Sequence, residues 1–430
     1  MEVRVVRRTL SGENRALPRR VRAESMPLEN PGAPSPSLRQ VLADFGGLYA
    51  VNGFIAFVFA ASAPVAIVLA VGTRGGLTAE DLASWLFGAF FLNGLISIAF
   101  CWRYRQPLVF FWSIPGTVLV GPALGHLTFP EVIGAFLATG VLMLVLGLSG
   151  WVRRAMEAVP MPIVMGMVAG VFLRFGLDLV YAFRDEFWIA APMTAVFLAL
   201  SAAPRIGRLV PPLIGALIVG AVLVVVLGRF EPGSATMFAL AHPTVYLPVF
   251  SLQAMIELVV PLAITVLAAQ NAQGVAVLRA VGHAPPVNAI TAACGAGSIV
   301  SAMVGTVSTC LTGPVNAIIS SSGEKHRHYT AGIFVGLLAL AFGLAAPVFT
   351  RVMLAAPGGF IATLAGLTML RILQTAFVVS FKDRFTLGAL VAFLVTLADV
   401  PIFNIGAPFW GLVIGFAASW LLEREDFRAT

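Results

Sequence analysis

The chain has 430 residues, of which 59% are hydrophobic and only 11% are charged. A soluble domain carries about 25% charged residues, and a fold of this size cannot hide so much apolar surface from water. The composition therefore excludes a soluble protein, and the three cysteines, whose spacing matches neither a disulfide framework nor a zinc site, give no support for redox chemistry.

The net charge of +7 is concentrated near the N-terminus, where eight of the 27 Lys and Arg residues precede residue 40. This stretch also holds five prolines, among them Pro31, Pro34 and Pro36, and no long apolar block, which is typical of a disordered segment. We predict a disordered basic cytoplasmic tail over residues 1–42 that lies on anionic lipid, with partner binding as the alternative.

Apolar blocks follow from residue 43, each close to the ~20 residues with which a helix crosses ~30 Å of hydrocarbon. Lipid offers no partner for backbone N–H and C=O groups, so the blocks are predicted to be helices. A predicted extracytoplasmic connection over residues 229–250 separates two sets of seven. The fourteen predicted spans are 46–71, 82–101, 107–124, 131–150, 160–182, 187–203, 209–228, 254–279, 286–302, 304–321, 330–349, 356–378, 386–398 and 402–422.

Positive charge tests this count, because cytoplasmic loops are rich in Lys and Arg. With fourteen crossings and the basic tail inside, eleven basic residues fall in inner loops and four in outer loops. Both termini, including residues 423–430, are therefore predicted to be cytoplasmic. The inner set is Arg103, Arg105, Arg153, Arg154, Arg205, Arg208, Arg279, Lys325, Arg327, Lys382 and Arg384; the outer set is Arg74, Arg184, Arg229 and Arg351.

Three short matches relate the two sets of spans. Residues 64–72 resemble 274–282, Ala169-Gly170 resembles Ala365-Gly366, and residues 212–215 resemble 408–411. Matches in the same order at nearly constant offset indicate an internal repeat, with repeat 1 over 43–228 and repeat 2 over 251–422. Because seven is odd, the second repeat must insert upside down, as in many secondary transporters.

The third and tenth spans carry the same interruption. In both, a stretch that favours a strand is followed by a Pro/Gly pair and then by residues that favour a helix, beginning near Ser113 and Thr312. Such signals predict a helix that starts in mid-membrane, with unpaired N–H groups able to hold an anion. Two merely kinked helices are the alternative.

At these residues the sequence resembles the benzoate:proton symporter family (BenE-like), whose fold is of the uracil and nucleobase transporter type. The resemblance extends from about residue 43 to 422, with one departure at Gln273, where proline is expected. It implies a core domain of spans 1–4 and 8–11 and a gate domain of the others, with substrate between spans 3 and 10, against span 8. The motifs that carry it are Trp112-Ser113-Ile114-Pro115-Gly116, Ala169-Gly170, Leu173-Arg174-Phe175-Gly176-Leu177, Gln270-Asn271-Ala272 and Phe409-Trp410-Gly411-Leu412.

Polar groups inside the bilayer are costly and usually functional, which directs attention to span 8 and to the two broken spans. Gln270 and Asn271 are predicted to bind substrate or to take part in coupling, with hydrogen bonding between helices as the alternative. Aromatic side chains beside them are candidates to flank a ring or are ordinary core. The predicted substrate-binding residues are Ser113, Pro115, Gly116, Thr117, Gln270, Asn271, Thr312, Gly313 and Asn316, and the candidate aromatic contacts are Phe110, Phe111 and Trp112.

Charged residues in the spans are the candidates for proton coupling or gating. Arg174 and Asp178 lie four residues apart and are predicted to form a local ion pair, with gating as the alternative. Glu257, at the outer end of span 8, is the acidic candidate for the proton, although it is roughly 20 Å from Gln270 along a helix. Arg371 is expected toward the inner end of span 12, where it extends to the interface.

These observations together predict an all-α polytopic protein of the bacterial inner membrane that takes up an aromatic carboxylate such as benzoate with a proton. Transport of another organic anion or a nucleobase, and a passive anion channel, are the alternatives. No enzyme is expected, because the five histidines fall in or beside loops and no phosphate-binding loop is present. No metal, no nucleic acid and no cofactor other than the coupled proton are expected. The expected partners are the aromatic carboxylate and the lipid bilayer, and a homodimer is left open.

Overall fold

A computed structural model describes residues 28–152, 160–203, 207, 210–231, 239–403 and 405–428. The predicted inner arginines at 153, 154, 205 and 208 lie outside these residues, as do residues 1–27 of the predicted tail. Helices dominate the described chain, because helical backbones satisfy their own hydrogen bonds in lipid.

The helices in chain order are α1 (Leu38–Asp44), α2 (Gly47–Ala61), α3 (Ala63–Arg74), α4 (Ala79–Tyr104), α5 (Ile114–Ala123), α6 (Phe129–Ser149), α7 (Met161–Asp185), α8 (Phe187–Ala202), α9 (Pro212–Val226), α10 (Leu252–Ala280), α11 (Val287–Ala302), α12 (Gly313–Ile319), α13 (His328–Leu344), α14 (Ala346–Leu354), α15 (Gly358–Phe381), α16 (Thr386–Ala398), α17 (Ala407–Leu422) and α18 (Arg424–Arg428). Two strands, β1 (Phe110–Trp112) and β2 (Thr309–Leu311), precede α5 and α12.

Length and apolar character identify the chain as a helical polytopic membrane protein. Within the described residues, seven helical stretches of 20–29 residues are long and apolar enough to cross a membrane, the first being α2 and α3 together. Six further apolar helices have 10–17 residues. Each of the fourteen predicted blocks contains a helix, and α14 is an additional helix that the apolar pattern did not indicate.

The two broken segments meet through their strands. β1 and β2 pair antiparallel, with Phe111 opposite Cys310, and both strands are fully buried. Each strand leads within two residues into a helix with proline in its first turn, at Pro115 and Pro314. The predicted order of strand, then helix, is therefore present in both segments.

The helices pack in two groups. The first group contains α2–α6 and α10–α14 around the strand pair, with α6 against α11 and α4 against α13. The second group contains α7–α9 and α15–α17, in which α7 packs against α15 and α16. Small residues permit these close approaches: a Cβ on Gly295 would overlap the backbone of Leu144, and one on Gly366 would overlap Phe175 and Leu179. The groups touch where α3 meets α15 and where α5 meets α7.

The end of the predicted disordered tail is ordered from residue 28. The Glu29 carboxylate accepts hydrogen bonds from the backbone N–H groups of Asn288 and Ala289, each at 2.9 Å, at the start of α11. The Trp102 indole donates to the Pro36 carbonyl at 2.6 Å. Residues 28–42 therefore make contacts that the composition of the tail did not indicate, because a carboxylate there satisfies the free N–H groups of a helix start.

Candidate functional site

A cavity of about 600 Å³ lies between the two helix groups. The first group contributes the end of β1, the residue after β2, the starts of α5 and α12, and one face of α10 between residues 268 and 276. The end of α2 and the start of α3 complete this side of the wall. The second group contributes the first half of α7, the later half of α15, and Phe197 and Leu213. A cavity of this size and position is typical of a small-molecule site between packed domains.

Aromatic side chains form a large part of the cavity wall. Phe111 and Trp112 line it from β1, and Phe172 and Phe197 line it from the second group. Phe110 faces away from the cavity and packs edge-on against Phe100, with the ring centroids 5.1 Å apart. The cavity can therefore accept a flat aromatic ring against other rings.

The starts of α5 and α12 lie at the cavity but offer few free donors. Ser113 caps α5, because its Oγ accepts a hydrogen bond from the Gly116 backbone N–H at 3.0 Å. Proline stands at the second helical position of both helices and has no N–H to offer. Thr312 lines the cavity, and its Oγ1 donates to the Val109 carbonyl at 3.2 Å.

Two predicted amides brace the strands. Asn271 Oδ1 accepts from the Leu311 backbone N–H at 2.8 Å, and this side chain is 4% exposed. Asn316 is fully buried; its Oδ1 accepts from the Val109 N–H at 3.0 Å and its Nδ2 donates to the Val109 carbonyl at 3.2 Å. Neither residue lines the cavity, and each holds one end of the strand pair in place.

Three of the nine predicted binding residues and two of the three candidate aromatic contacts line the cavity, and the others lie around it. Ser113, Gly116, Thr117 and Gly313 belong to the backbone joints behind the wall, and Thr117 Oγ1 donates to the Ser113 carbonyl at 3.0 Å. Direct contact with a ligand is therefore still predicted mainly for the residues that line the cavity. That set is Phe111, Trp112, Pro115, Gln270 and Thr312.

Gln270 and Gln273 present their amides to the cavity from α10. Three residues apart, they lie on one helix face, and the Gln273 side chain rests against Gly313, where a Cβ would overlap it. A π-helical turn over Thr265–Asn271 contains Gln270 and ends two residues before Gln273, and such turns are frequent at functional sites. In the sequence, Gln273 stands out only as a departure from proline. Its spacing of three residues from Gln270 is the signal that indicates a shared helix face.

Arg371 lines the cavity from α15, together with Thr368 and Thr375. It is the only charged side chain among the described lining residues. It lies ten residues, roughly 15 Å, from the end of a helix of 24 residues. Arg371 therefore faces the cavity from within the span, a setting that the sequence did not indicate, and its extension to the interface stays a prediction.

The predicted local ion pair between Arg174 and Asp178 is also wrong. Arg174 pairs with Asp399, at the end of α16, with 2.6 Å between Nη2 and Oδ2. Asp178 pairs with Arg74, at the end of α3, also at 2.6 Å. Because neighbouring helices bring an oppositely charged partner to each residue, two ion pairs between helices form in place of the pair within α7. The Arg74–Asp178 bridge joins the two helix groups.

Glu257 lies outside the cavity, in a π-helical turn near the start of α10. Its side chain is 3% exposed, and its carboxylate is 2.9 Å from His126 Nε2. It also touches the start of α17, where a Cβ on Gly406 would overlap the carboxylate. This buried carboxylate therefore joins the loop after α5 to the second helix group.

The sequence matches a family model over residues 45–421, described as "Benzoate membrane transport protein" (BenE). The inner membrane protein YdcO of Escherichia coli is 30% identical over 369 residues, which cover 84% of this chain and 93% of that protein. A benzoate membrane transport protein of Acinetobacter baylyi is 26% identical over 382 residues, covering 87% and 95% respectively.

Solved transporter structures share the fold. The transmembrane domain of the cyanobacterium bicarbonate transporter BicA has a TM-score of 0.60 at 15% identity, over 89% of this chain and 99% of that one. SLC26A9 has a TM-score of 0.61 at 13% identity, over 90% and 66%. The murine Slc26a9 anion transporter in its inward-facing state has a TM-score of 0.58 at 12% identity, over 89% and 70%.

These matches support the expected family and correct the expected fold type. The fold shown is that of BicA and SLC26A9, whereas the expected likeness was to uracil and nucleobase transporters. The family and its relatives are membrane transporters and not enzymes. The match over most of the sequence shows that this chain belongs to the benzoate membrane transport protein (BenE) family.

Proposed function

We propose that this protein takes up benzoate, or a closely related aromatic carboxylate, together with a proton by alternating access. The observation that carries the proposal is the cavity between the two helix groups, which is lined by aromatic side chains and by the amides of Gln270 and Gln273. Membership of the BenE family and the relative named as a benzoate transport protein support the choice of substrate. The anion-transporter fold supports a negatively charged cargo.

In the proposed complex the aromatic ring packs among Phe111, Trp112 and Phe172. Gln270 and Gln273 donate hydrogen bonds to the carboxylate from α10. Asn271 and Asn316 hold the strands that carry part of this wall, so their contribution is to position it. The starts of α5 and α12 add the positive ends of two helix dipoles.

The division into two helix groups supports alternating access. We assign the first group as the core that carries substrate and the second as the gate, within a seven-plus-seven inverted repeat of fourteen spans. The paired strands and the two matching strand–helix joints support this repeat. Both termini are proposed to be cytoplasmic, in an inner membrane like that of the Escherichia coli relative.

With this topology the cavity faces the cytoplasm. It is lined by the first half of α7 and the later halves of α10 and α15, which all lie on the proposed inner side. The opposite half is closed by the Arg74–Asp178 bridge and by the contact of Glu257 with α17. We propose the pair of the buried Glu257 and the partly exposed His126 as the site of the coupled proton, since the pair lies where the two groups meet.

Transport in proteoliposomes tests the proposed function. An imposed pH gradient, acidic outside, is expected to drive accumulation of labelled benzoate against its own gradient, with saturable kinetics. An uncoupler is expected to abolish accumulation while leaving exchange of labelled for unlabelled benzoate. Saturation and exchange would both be missing from a passive channel.

Two results would overturn the proposal. Non-saturating flux that ignores the pH gradient would identify a channel. The absence of any benzoate flux, with saturable flux of a nucleobase or an aliphatic anion in the same vesicles, would identify a transporter of another substrate.

A further inference from the structure

Arg371 carries a full positive charge at the cavity without a partner of its own. No hydrogen bond or ion pair joins its guanidinium group to another residue that the structure describes, whereas Arg74, Arg174, Arg184 and Arg229 each pair with a carboxylate. The described cavity wall holds no acidic side chain. The charge is therefore not neutralised by the residues around the site.

The place of Arg371 in the membrane makes this unusual. It is the fourteenth of 24 residues in α15, close to the middle of a helix that is long enough to span the bilayer. A charge at that depth is costly, and such residues normally face a partner or a water-filled cavity. An anion in the cavity would supply the missing partner.

The other positive features of the site are weaker. The Gly116 N–H at the start of α5 is already occupied by Ser113, and Pro115 and Pro314 have no N–H. Gln270 and Gln273 are neutral donors. A guanidinium group offers two parallel N–H donors that match a carboxylate, and the resulting bonds are stronger than those between neutral groups.

We propose that Arg371 binds the carboxylate of the transported anion and makes the site select anions over neutral analogues of the same shape. This inference rests on the proposed function. Arg371 belongs to the gate, whereas Gln270 and Gln273 belong to the core. A bound carboxylate would therefore be held from both helix groups at once, and a neutral ligand would be held mainly by ring packing.

Binding of benzoate and of benzamide to the purified protein in detergent tests this assignment, because the two ligands share a ring and differ in charge. The wild-type protein is expected to prefer benzoate. In Arg371→Gln, benzoate affinity is expected to fall by roughly 10- to 100-fold, since a hydrogen-bonded charge is lost. Benzamide affinity is expected to change little, so that the preference disappears.

Two further variants separate charge from packing. Arg371→Lys keeps the charge and is expected to retain a reduced preference for benzoate. Arg184→Gln, which removes an exposed arginine paired with its neighbour Asp185, is expected to bind both ligands like the wild type. Thermal unfolding without ligand verifies that each variant is folded.

The outcomes that overturn the inference are distinct from failure of the proposed function. Unchanged benzoate affinity in Arg371→Gln, or an equal loss of benzoate and benzamide, would show that Arg371 does not recognise the carboxylate. A wild-type protein that binds no aromatic carboxylate would instead overturn the proposed function, and this inference with it.

Discussion

At the scale of single residues, neighbouring amides on α10 have different tasks. Asn271 is buried, and its side-chain oxygen accepts a hydrogen bond from the backbone of β2. Gln270 is half-buried and lines the cavity, with no side-chain hydrogen bond to another described residue. Successive side chains on a helix point about 100° apart, so the two amides meet different neighbours. One amide therefore belongs to the fold and the other is available to a ligand.

We expect Gln270→Ala and Asn271→Ala to separate binding from stability. Gln270→Ala should weaken benzoate binding about three- to tenfold, the value of one hydrogen bond, with an unchanged unfolding temperature. Asn271→Ala should destabilise the protein by about 1–3 kcal/mol, because the Leu311 N–H is left buried without a partner. Ligand titration and thermal unfolding of both variants check this. Unchanged benzoate affinity in Gln270→Ala would move the site elsewhere.

At the scale of elements, local signals predicted the two strand–helix joints but not what the strands do. Strand-favouring residues followed by Pro and Gly are visible within ten residues of sequence, and both joints form there. The pairing of Phe111 with Cys310 joins positions almost 200 residues apart, which no local pattern encodes. The π-helical turns in α10 were equally hidden, because they depend on packing around the whole helix.

Arg371 shows the same limit. The residues of α15 that line the cavity recur every three or four positions: Leu367, Thr368, Arg371, Ile372, Thr375 and Val379. This face is readable from the sequence only after it is known which side of α15 packs against α7. Apolar residues on all sides of a lipid-embedded helix conceal its orientation. The sequence therefore locates the arginine on its span but does not indicate that it faces the cavity.

A histidine pair ties the connection after α10 to the start of α13. His283 Nε2 is 3.2 Å from His328 Nδ1, and both residues are buried. Burial, and then the neighbouring His328 and Lys325, lower the pKa of His283 from 6.5 to about 4. At neutral pH this imidazole is therefore uncharged, and the two rings can share one hydrogen.

From the lowered pKa of His283 we expect the protein to lose stability as the pH falls. Between about pH 6.5 and pH 4 the unfolded chain takes up a proton at His283 that the folded protein resists, so the free energy of unfolding decreases through this window. His283→Gln should flatten this part of the dependence. Thermal unfolding of both proteins at a series of pH values measures it, and equal slopes would show that another group is responsible.

At the scale of the whole molecule, a few charged contacts join the two helix groups on the side away from the cavity. The Arg74–Asp178 bridge connects α3 to α7, and the Glu257 carboxylate rests against the start of α17. The Arg174–Asp399 bridge, in contrast, lies within the second group. Alternating access would therefore have to break the contacts that Asp178 and Glu257 make between the groups. The Asp399 contact could stay intact, because both of its partners belong to the second group.

Reversing charges at the Arg74–Asp178 bridge tests whether it stabilises the conformation with the cavity on the proposed inner side. Arg74→Asp and Asp178→Arg each place like charges together, which should shift the equilibrium between the two conformations. The initial rate of benzoate uptake should fall about two- to fivefold, because a partly exposed ion pair contributes up to ~1 kcal/mol. The double exchange, Arg74→Asp with Asp178→Arg, restores opposite charges and should recover most of the rate. Arg184→Asp, at an exposed pair within α7, serves as the control and should transport normally. A double exchange no faster than either single variant would show that the bridge does not control access, and closure of that half would then rest on Glu257 and the apolar packing between the two groups.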